Sequence, residues 1–281
     1  MIFQIMLIEG ADFKMINIGV AQWCLSQQGV DAIFQSASLG LSVIQIDAGG
    51  DEGAPFLDSP IVQAAYLRAA RETEVKISAI GINLLNFYGM TNPIGSNASN
   101  ECWNMIQLAI NAAKRMHVDL VFLPSFDEGE IRDDIGLLRT AKLLSMACDI
   151  ADEHHIVVAS ENTLGINENR KLLTSVNRPN FKILLDTLNP VLWGYQVPEM
   201  IRGLWRYMCN QIHAKDGING NMGNAPLNTG QANFSETVAT LFSLNFNGYF
   251  ILENEYKQQA KKRLKEDINT LRMLWREQGQ H

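Results

Sequence analysis

IVVASEN at residues 156–162 is an apolar, β-branched run that ends on a carboxylate, Glu161. The pattern returns three times toward the C-terminus. KILLDT at 182–187 ends on Asp186, CNQIHA at 209–214 on His213, and GYFILEN at 248–254 on Glu253. Such runs are continuous rather than alternating, as strands are when both faces of a parallel sheet are covered. Four more candidates lie upstream: MINIGV at 15–20, VIQID at 43–47, ISAIGI at 77–82 and DLVFL at 119–123. The segments between them carry helical spacing. Leu137, Ala141, Leu144, Cys148 and Ala151 form one apolar stripe, and Cys102, Met105, Ala109, Ala112 and Met116 another. Asp58-Ser59-Pro60 is a helix start with proline in the first turn, and the last helix is predicted from about Lys257 to Arg276. Eight strands alternating with eight helices predict an α/β fold, a single (β/α)8 TIM barrel over residues 15–281. An open doubly wound sheet is the alternative, but no GxGxxG follows the first strand. Residues 1–14 read as an N-terminal extension or a lead-in to the first strand.

The chain has 281 residues, 47% of them hydrophobic and 19% charged, with a net charge of −7. That balance supports a sizeable core and disfavours a phosphate-covered partner such as nucleic acid. The one dense basic stretch, Lys261, Lys262, Arg263 and Lys265, is flanked by acidic residues and threaded by Leu264, Ile268 and Leu271 at helical spacing. It reads as a solvated helix face. Cys24, Cys102, Cys148 and Cys209 are far apart and form no CxxC pair, which suits a reducing cytoplasm. Cys102 and Cys148 fall on apolar stripes, whereas Cys24 follows the first strand and is placed either in the core or at a pocket wall. No apolar run approaches the roughly 20 residues of a membrane span, and the opening MIFQIMLI has no basic leader.

In a barrel, chemistry gathers where strands end. Strands five to eight are neighbours, so Glu161, Asp186, His213 and Glu253 converge on one spot. Three carboxylates crowded there repel one another, and a divalent cation removes that penalty. Imidazole with carboxylates suits one Mn, Fe, Co, Zn or Mg ion. Four protein ligands on an octahedral metal leave two positions for substrate oxygens, enough to hold a hydroxyketone by its carbonyl and the adjacent hydroxyl. Any one of these residues alone reads as a helix cap or a surface group; four on consecutive strands do not. Of the five histidines, only His213 sits at the end of a strand. Glycines 217, 220 and 223 with Asn219, Asn221 and Asn224 mark a loop after strand seven, either a substrate lid or a plain long connection.

These residues and their order resemble the xylose isomerase-like superfamily of sugar phosphate isomerases and epimerases, which also contains the endonuclease IV group. The matching elements are Glu161 in ASENT, Asp186 in ILLDTLN, His213 in QIHAKD, the segment APLNTGQANF, and Glu253 in GYFILEN. The resemblance implies that the four residues bind one divalent metal (Mn, Co, Mg or Zn) and that Glu161 and Glu253 also act as acid and base on opposite faces of a small polyhydroxylated carbonyl substrate. Association into dimers or tetramers is implied by the family alone. Three positions depart from it. Asn189 replaces a histidine three residues after the strand-six aspartate; it can hold a substrate hydroxyl but cannot titrate. The arginine usual after the strand-seven histidine is missing, and Lys215 either contacts substrate instead or pairs with Asp216. Asp47 ends strand two where relatives carry glutamate, either orienting a metal ligand or lining the site.

The resulting expectation is a metal-dependent sugar or sugar-phosphate isomerase or epimerase working through an enediolate. A keto-inositol dehydratase on the same barrel is the nearest rival. Phosphodiester hydrolysis of the endonuclease IV kind needs more strand-end histidines than this chain has, and a barrel that binds a sugar without turning it over is the remaining alternative.

Overall fold

The apolar runs form the staves of a closed barrel. The computed structural model describes residues 16–50 and 55–280, so the reading of residues 1–14 lies outside the described residues. The strands are β1 Asn17–Ala21, β2 Val43–Asp47, β3 Lys76–Gly81, β4 Leu120–Ser125, β5 Val157–Asn162, β6 Phe181–Asp186, β7 Met208–Ala214 and β8 Tyr249–Leu252. Each pairs with the next in parallel, and β1 pairs with β8 to close the ring. Every predicted strand lies within two residues of an observed one. β2 and β4 are buried along their whole length, and each of the other strands at all but one residue. That is why their sequences run apolar instead of alternating.

The predicted helical stripes face inward. In Asn97–Met116 and Asp134–Asp152 all ten stripe residues are buried. Asp133 caps the second helix, accepting the Gly136 amide at 2.6 Å. The last helix begins later than the periodicity predicts, at Ala260. Tyr256 explains the delay: it is fully buried and its hydroxyl donates to Asp267 at 2.6 Å. The chain must then climb back to the surface through Gln259, held at φ 53°, before the helix can start. The basic stretch at 261–265 lies on that helix, with Leu264, Ile268 and Leu271 buried beneath it. All four cysteines are buried thiols. Cys24 is not among the residues lining the large cavity described below. Among the described residues no helix is long and apolar enough to cross a membrane.

The barrel interior is packed in layers. Ala79, Leu120, Phe122, Ala159, Leu184 and Cys209 form a cluster of their own inside the staves. Gly81 is required here: a Cβ at that position would lie 2.4 Å from the Phe122 ring. Without it, Phe122 packs edge-on against His213, with ring centroids 5.4 Å apart, and supports the site from below.

Candidate metal centre

Each of the four side chains sits two residues beyond an inward-facing strand residue, because side chains alternate with a period of two. Glu161 follows Ala159, Asp186 follows Leu184, His213 follows Gln211, and Glu253 follows Ile251. Register sets their height: Asp186 pairs with His213, and His213 with Ile251. One donor atom from each of the four lies within 4.8 Å of the others. Donors on opposite sides of a divalent ion stand about 4–5 Å apart, so the spacing fits one ion.

The carboxylates are oriented for that task. Asp186 Oδ1 accepts the amides of Leu188 and Asn189, both at 2.6 Å. Glu253 Oε1 accepts Trp23 Nε1 at 2.8 Å. Their other oxygens, Asp186 Oδ2 and Glu253 Oε2, are buried and turned inward, with no backbone amide on either. Buried carboxylate oxygens carry a large desolvation cost unless a cation faces them. Here the ammonium of Lys215 does so, 2.7 Å from Glu253 Oε2 and 3.5 Å from Asp186 Oδ2. The donor set and the two inward oxygens therefore fit a divalent metal.

Charges in this pocket are strongly coupled. Burial pushes the Asp186 carboxyl up to about 6 against the pull of Lys215. For His213 burial works downward, but the carboxylates of Glu253 and Glu161 outweigh it and raise the imidazole to about 10. Burial likewise works upward on Glu253, where His213 and Lys215 prevail and hold the group well below the usual carboxylate range. An imidazolium cannot ligate, so a cation entering the site exchanges for the Nδ1 proton.

Which histidine nitrogen faces the site is fixed by a chain of amides through the barrel. Gln211 Nε2 lies 2.8 Å from the Ser78 carbonyl, which can only accept. Gln211 Oε1 must then accept from Gln45 Nε2, at 2.9 Å, and Gln45 Oε1 must accept from His213 Nε2, at 2.8 Å. The proton stays on Nε2, and Nδ1 faces Glu161 and Glu253 at 3.2 Å each. Outer hydrogen bonds of this kind typically matter about 10–100-fold for metal affinity. Gln45→Leu is expected to weaken divalent-metal binding by that order in calorimetric titration; an unchanged affinity would remove the relay from the account.

Asn189, Lys215 and Asp47 are placed differently from one another. Asn189 lines the cavity, with Nδ2 3.4 Å from Glu161 and Oδ1 3.3 Å from Lys215 Nζ. Lys215 also lines it. The alternative of a Lys215–Asp216 pair is corrected: just past the end of β7, Lys215 continues the inward positions of Gln211 and His213 and turns to Asp186 and Glu253, while Asp216 turns to the loop. Asp216 accepts the amides of Gly217, Gly230 and Ala232 at 2.8–3.0 Å. Asp47 is buried at the end of β2, where its two oxygens accept the amides of Gly49 and Asn83 at 2.7 and 3.1 Å.

Above the four residues opens a cavity of about 610 Å³. Its floor includes Glu161, Glu253, Lys215 and Asn189, and its walls carry Trp23, Phe126, Trp193 and Met222. Met222 belongs to the glycine- and asparagine-rich loop after β7, which Asp216 ties down from within. Trp23, Gln45 and Gln211 were not singled out from sequence. The two glutamines did carry a signal, as amides inside otherwise apolar strand runs.

Fold and site together define a (β/α)8 barrel whose C-terminal mouth gathers three carboxylates and an imidazole that could hold a metal ion. The family described as xylose isomerase-like TIM barrel matches residues 33–274, and the chain belongs to it. It is 34% identical over 258 residues to the 2-epi-5-epi-valiolone 7-phosphate 2-epimerase of an Actinoplanes species, covering 91% of this chain and 93% of that protein. Among solved structures, the D-psicose 3-epimerase of Clostridium cellulolyticum H10 with D-tagatose superposes with a TM-score of 0.69 at 16% identity, over 94% and 96% of the two chains. A xylose isomerase-like TIM barrel protein of Mycobacterium smegmatis in complex with magnesium gives 0.72 at 13% identity, over 95% and 98%. At such identities these two structures share the fold.

Proposed function

We propose that this chain is a metal-dependent epimerase or isomerase of a small polyhydroxylated ketone, with Glu161, Asp186, His213 and Glu253 holding one Mn, Co, Mg or Zn ion. The observation that carries the reading is the convergence of those four side chains below a cavity of sugar size, in a chain 34% identical to an epimerase. A divalent ion held there supplies positive charge beside a carbonyl oxygen, which makes the neighbouring C–H acidic.

The chain's own residues do the rest. Glu161 and Glu253 reach the floor of the cavity from β5 and β8, on different sides of its axis. One removes the proton next to the carbonyl, and the other delivers a proton to the opposite face, inverting that carbon. Delivery to the adjacent carbon gives aldose–ketose exchange instead. The Lys215 ammonium, close to Glu253, stabilises negative charge on the substrate oxygen as it develops. Asn189, fixed by its contacts with Glu161 and Lys215, holds a hydroxyl. Trp23 keeps one Glu253 oxygen engaged, so the other faces the reaction.

The test is proton exchange in heavy water. Ketoses and cyclitol ketones incubated with enzyme and Mn or Mg are expected to gain one deuterium next to the carbonyl, with epimer appearing in the proton NMR spectrum. Loss of water from the substrate in place of exchange would point to a dehydratase. No exchange across the panel would refute the reading.

A further inference from the structure

We propose that the substrate of this site carries no phosphate and is a neutral polyhydroxylated ketone. The inference rests on the isomerase reading above and decides between the phosphorylated and the free ketones for which relatives are named. Three features of the cavity support it.

The first is charge. Among the described residues the wall holds five carboxylates, Glu161 and Glu253 at the floor and Asp127, Glu128 and Glu130 nearer the rim, against the cations Lys215 and Arg132. A divalent ion at the floor still leaves a net negative charge. A phosphate monoester near −2 would be repelled there.

The second is that each of these cations already has a carboxylate partner that offsets its charge. Lys215 lies between Glu253 and Asp186. Arg132 Nε donates to Glu130 Oε2 at 2.8 Å, and Glu130 Oε1 accepts Trp193 Nε1 at 2.9 Å. Those two hydrogen bonds hold Glu130 below the usual carboxylate range, so it stays ionised. An incoming phosphate would have to share Arg132 with the carboxylate already on its Nε, so that cation's charge is partly offset before the phosphate arrives.

The third concerns backbone amides. Barrels commonly seat phosphate on amides of the loops after strands seven and eight. Here the loop after β7 presents three converging amides, and Asp216 fills the place an anion would take. The fit is close: a Cβ on Gly230 would lie 2.3 Å from Asp216 Oδ1. The same device recurs around the mouth. Asp47 takes the amides of Gly49 and Asn83, and Asp186 those of Leu188 and Asn189. The chain's own carboxylates occupy these anion seats. The cavity walls offer instead aromatic faces, Phe126 and Trp193, and the amides Asn83 and Asn86, groups that suit C–H faces and hydroxyls.

The experiment compares matched pairs, D-fructose with its 6-phosphate and D-psicose with its 6-phosphate, on Mg-loaded protein at low salt. Calorimetric binding and deuterium exchange are both measured. Phosphate is expected to weaken binding and slow exchange by about tenfold or more, the order expected for a dianion beside partly solvated carboxylates. The Asp127→Asn/Glu128→Gln double variant is expected to narrow that gap, and added salt to narrow it further. Tighter binding or faster exchange of the phosphorylated member would overturn the proposal while leaving the isomerase reading intact. Binding that ranks the pairs without any exchange would count against the isomerase reading instead. Should the double variant lose its fold by circular dichroism, the wild-type ranking decides alone.

Discussion

Replacing Glu161 or Glu253 by glutamine is expected to lower the rate of proton exchange next to the substrate carbonyl by about 10³-fold, within the 10²–10⁴ range of general acid–base catalysis. Glutamine keeps the shape of the side chain and one oxygen donor but accepts no proton. Each variant should therefore retain the fold and some metal affinity while losing turnover. The two are not equivalent. Glu253 has one oxygen on Trp23 and the other beside Lys215, so Glu253→Gln also deprives Lys215 of its nearest counter-charge. Glu161 contacts Asn189 and His213 and should give the cleaner loss. Exchange at the wild-type rate in either variant would show that its carboxylate moves no proton.

The second large effect concerns stability. Lys215 is 7% exposed and is the ammonium that faces the inward oxygens of Asp186 and Glu253. Lys215→Met keeps the length of the stem and deletes the charge. Removing one partner of a buried ion pair costs about 3–5 kcal/mol. For a domain of this size that is roughly 2–4 °C per kcal/mol, so the metal-free variant should melt about 10 °C below the metal-free wild type. A divalent cation restores the missing charge. Saturating Mn should therefore raise the melting temperature of the variant more than that of the wild type. Equal melting temperatures without metal would mean that Lys215 contributes no net stability to the site.

How much of this was legible in the sequence follows from where each residue sits. The staves were legible because parallel strands buried on both faces must be written in apolar residues, as ILLD and YFIL are. Their ends were legible because a polar residue that closes such a run, as Asp186 and His213 do, has few other places to go. Convergence then followed from chain order alone, since β5 to β8 are consecutive staves. The amide relay was hidden for the opposite reason. Gln45 and Gln211 are 166 residues apart and meet only across the barrel interior, a contact no local spacing encodes. Trp23 was hidden because it lies on the short turn Gln22–Cys24, outside any run or stripe.

The KD pair at 215–216 suggested a local ion pair, but past the end of β7 Lys215 keeps to the barrel side, beside Asp186 and Glu253, and Asp216 turns to the loop. Asp216 then found its partners 14 and 16 residues onward, at Gly230 and Ala232. Asn254 fixes the same region from just past β8: its Oδ1 accepts the Asp216 amide at 2.9 Å, and its Nδ2 donates to Asp267 at 2.8 Å. The late helix start at Ala260 has a tertiary cause of the same kind, the burial of Tyr256 against Asp267.

The measurement that bears most directly on the central claim is the stoichiometry of Mn binding to metal-stripped protein, read by electron paramagnetic resonance beside His213→Ala and Asp186→Asn. The account predicts one bound Mn per chain in the wild type and loss of most of that binding in each variant. Wild-type protein that leaves all added Mn in solution, or variants that bind it as tightly as the wild type, would contradict it.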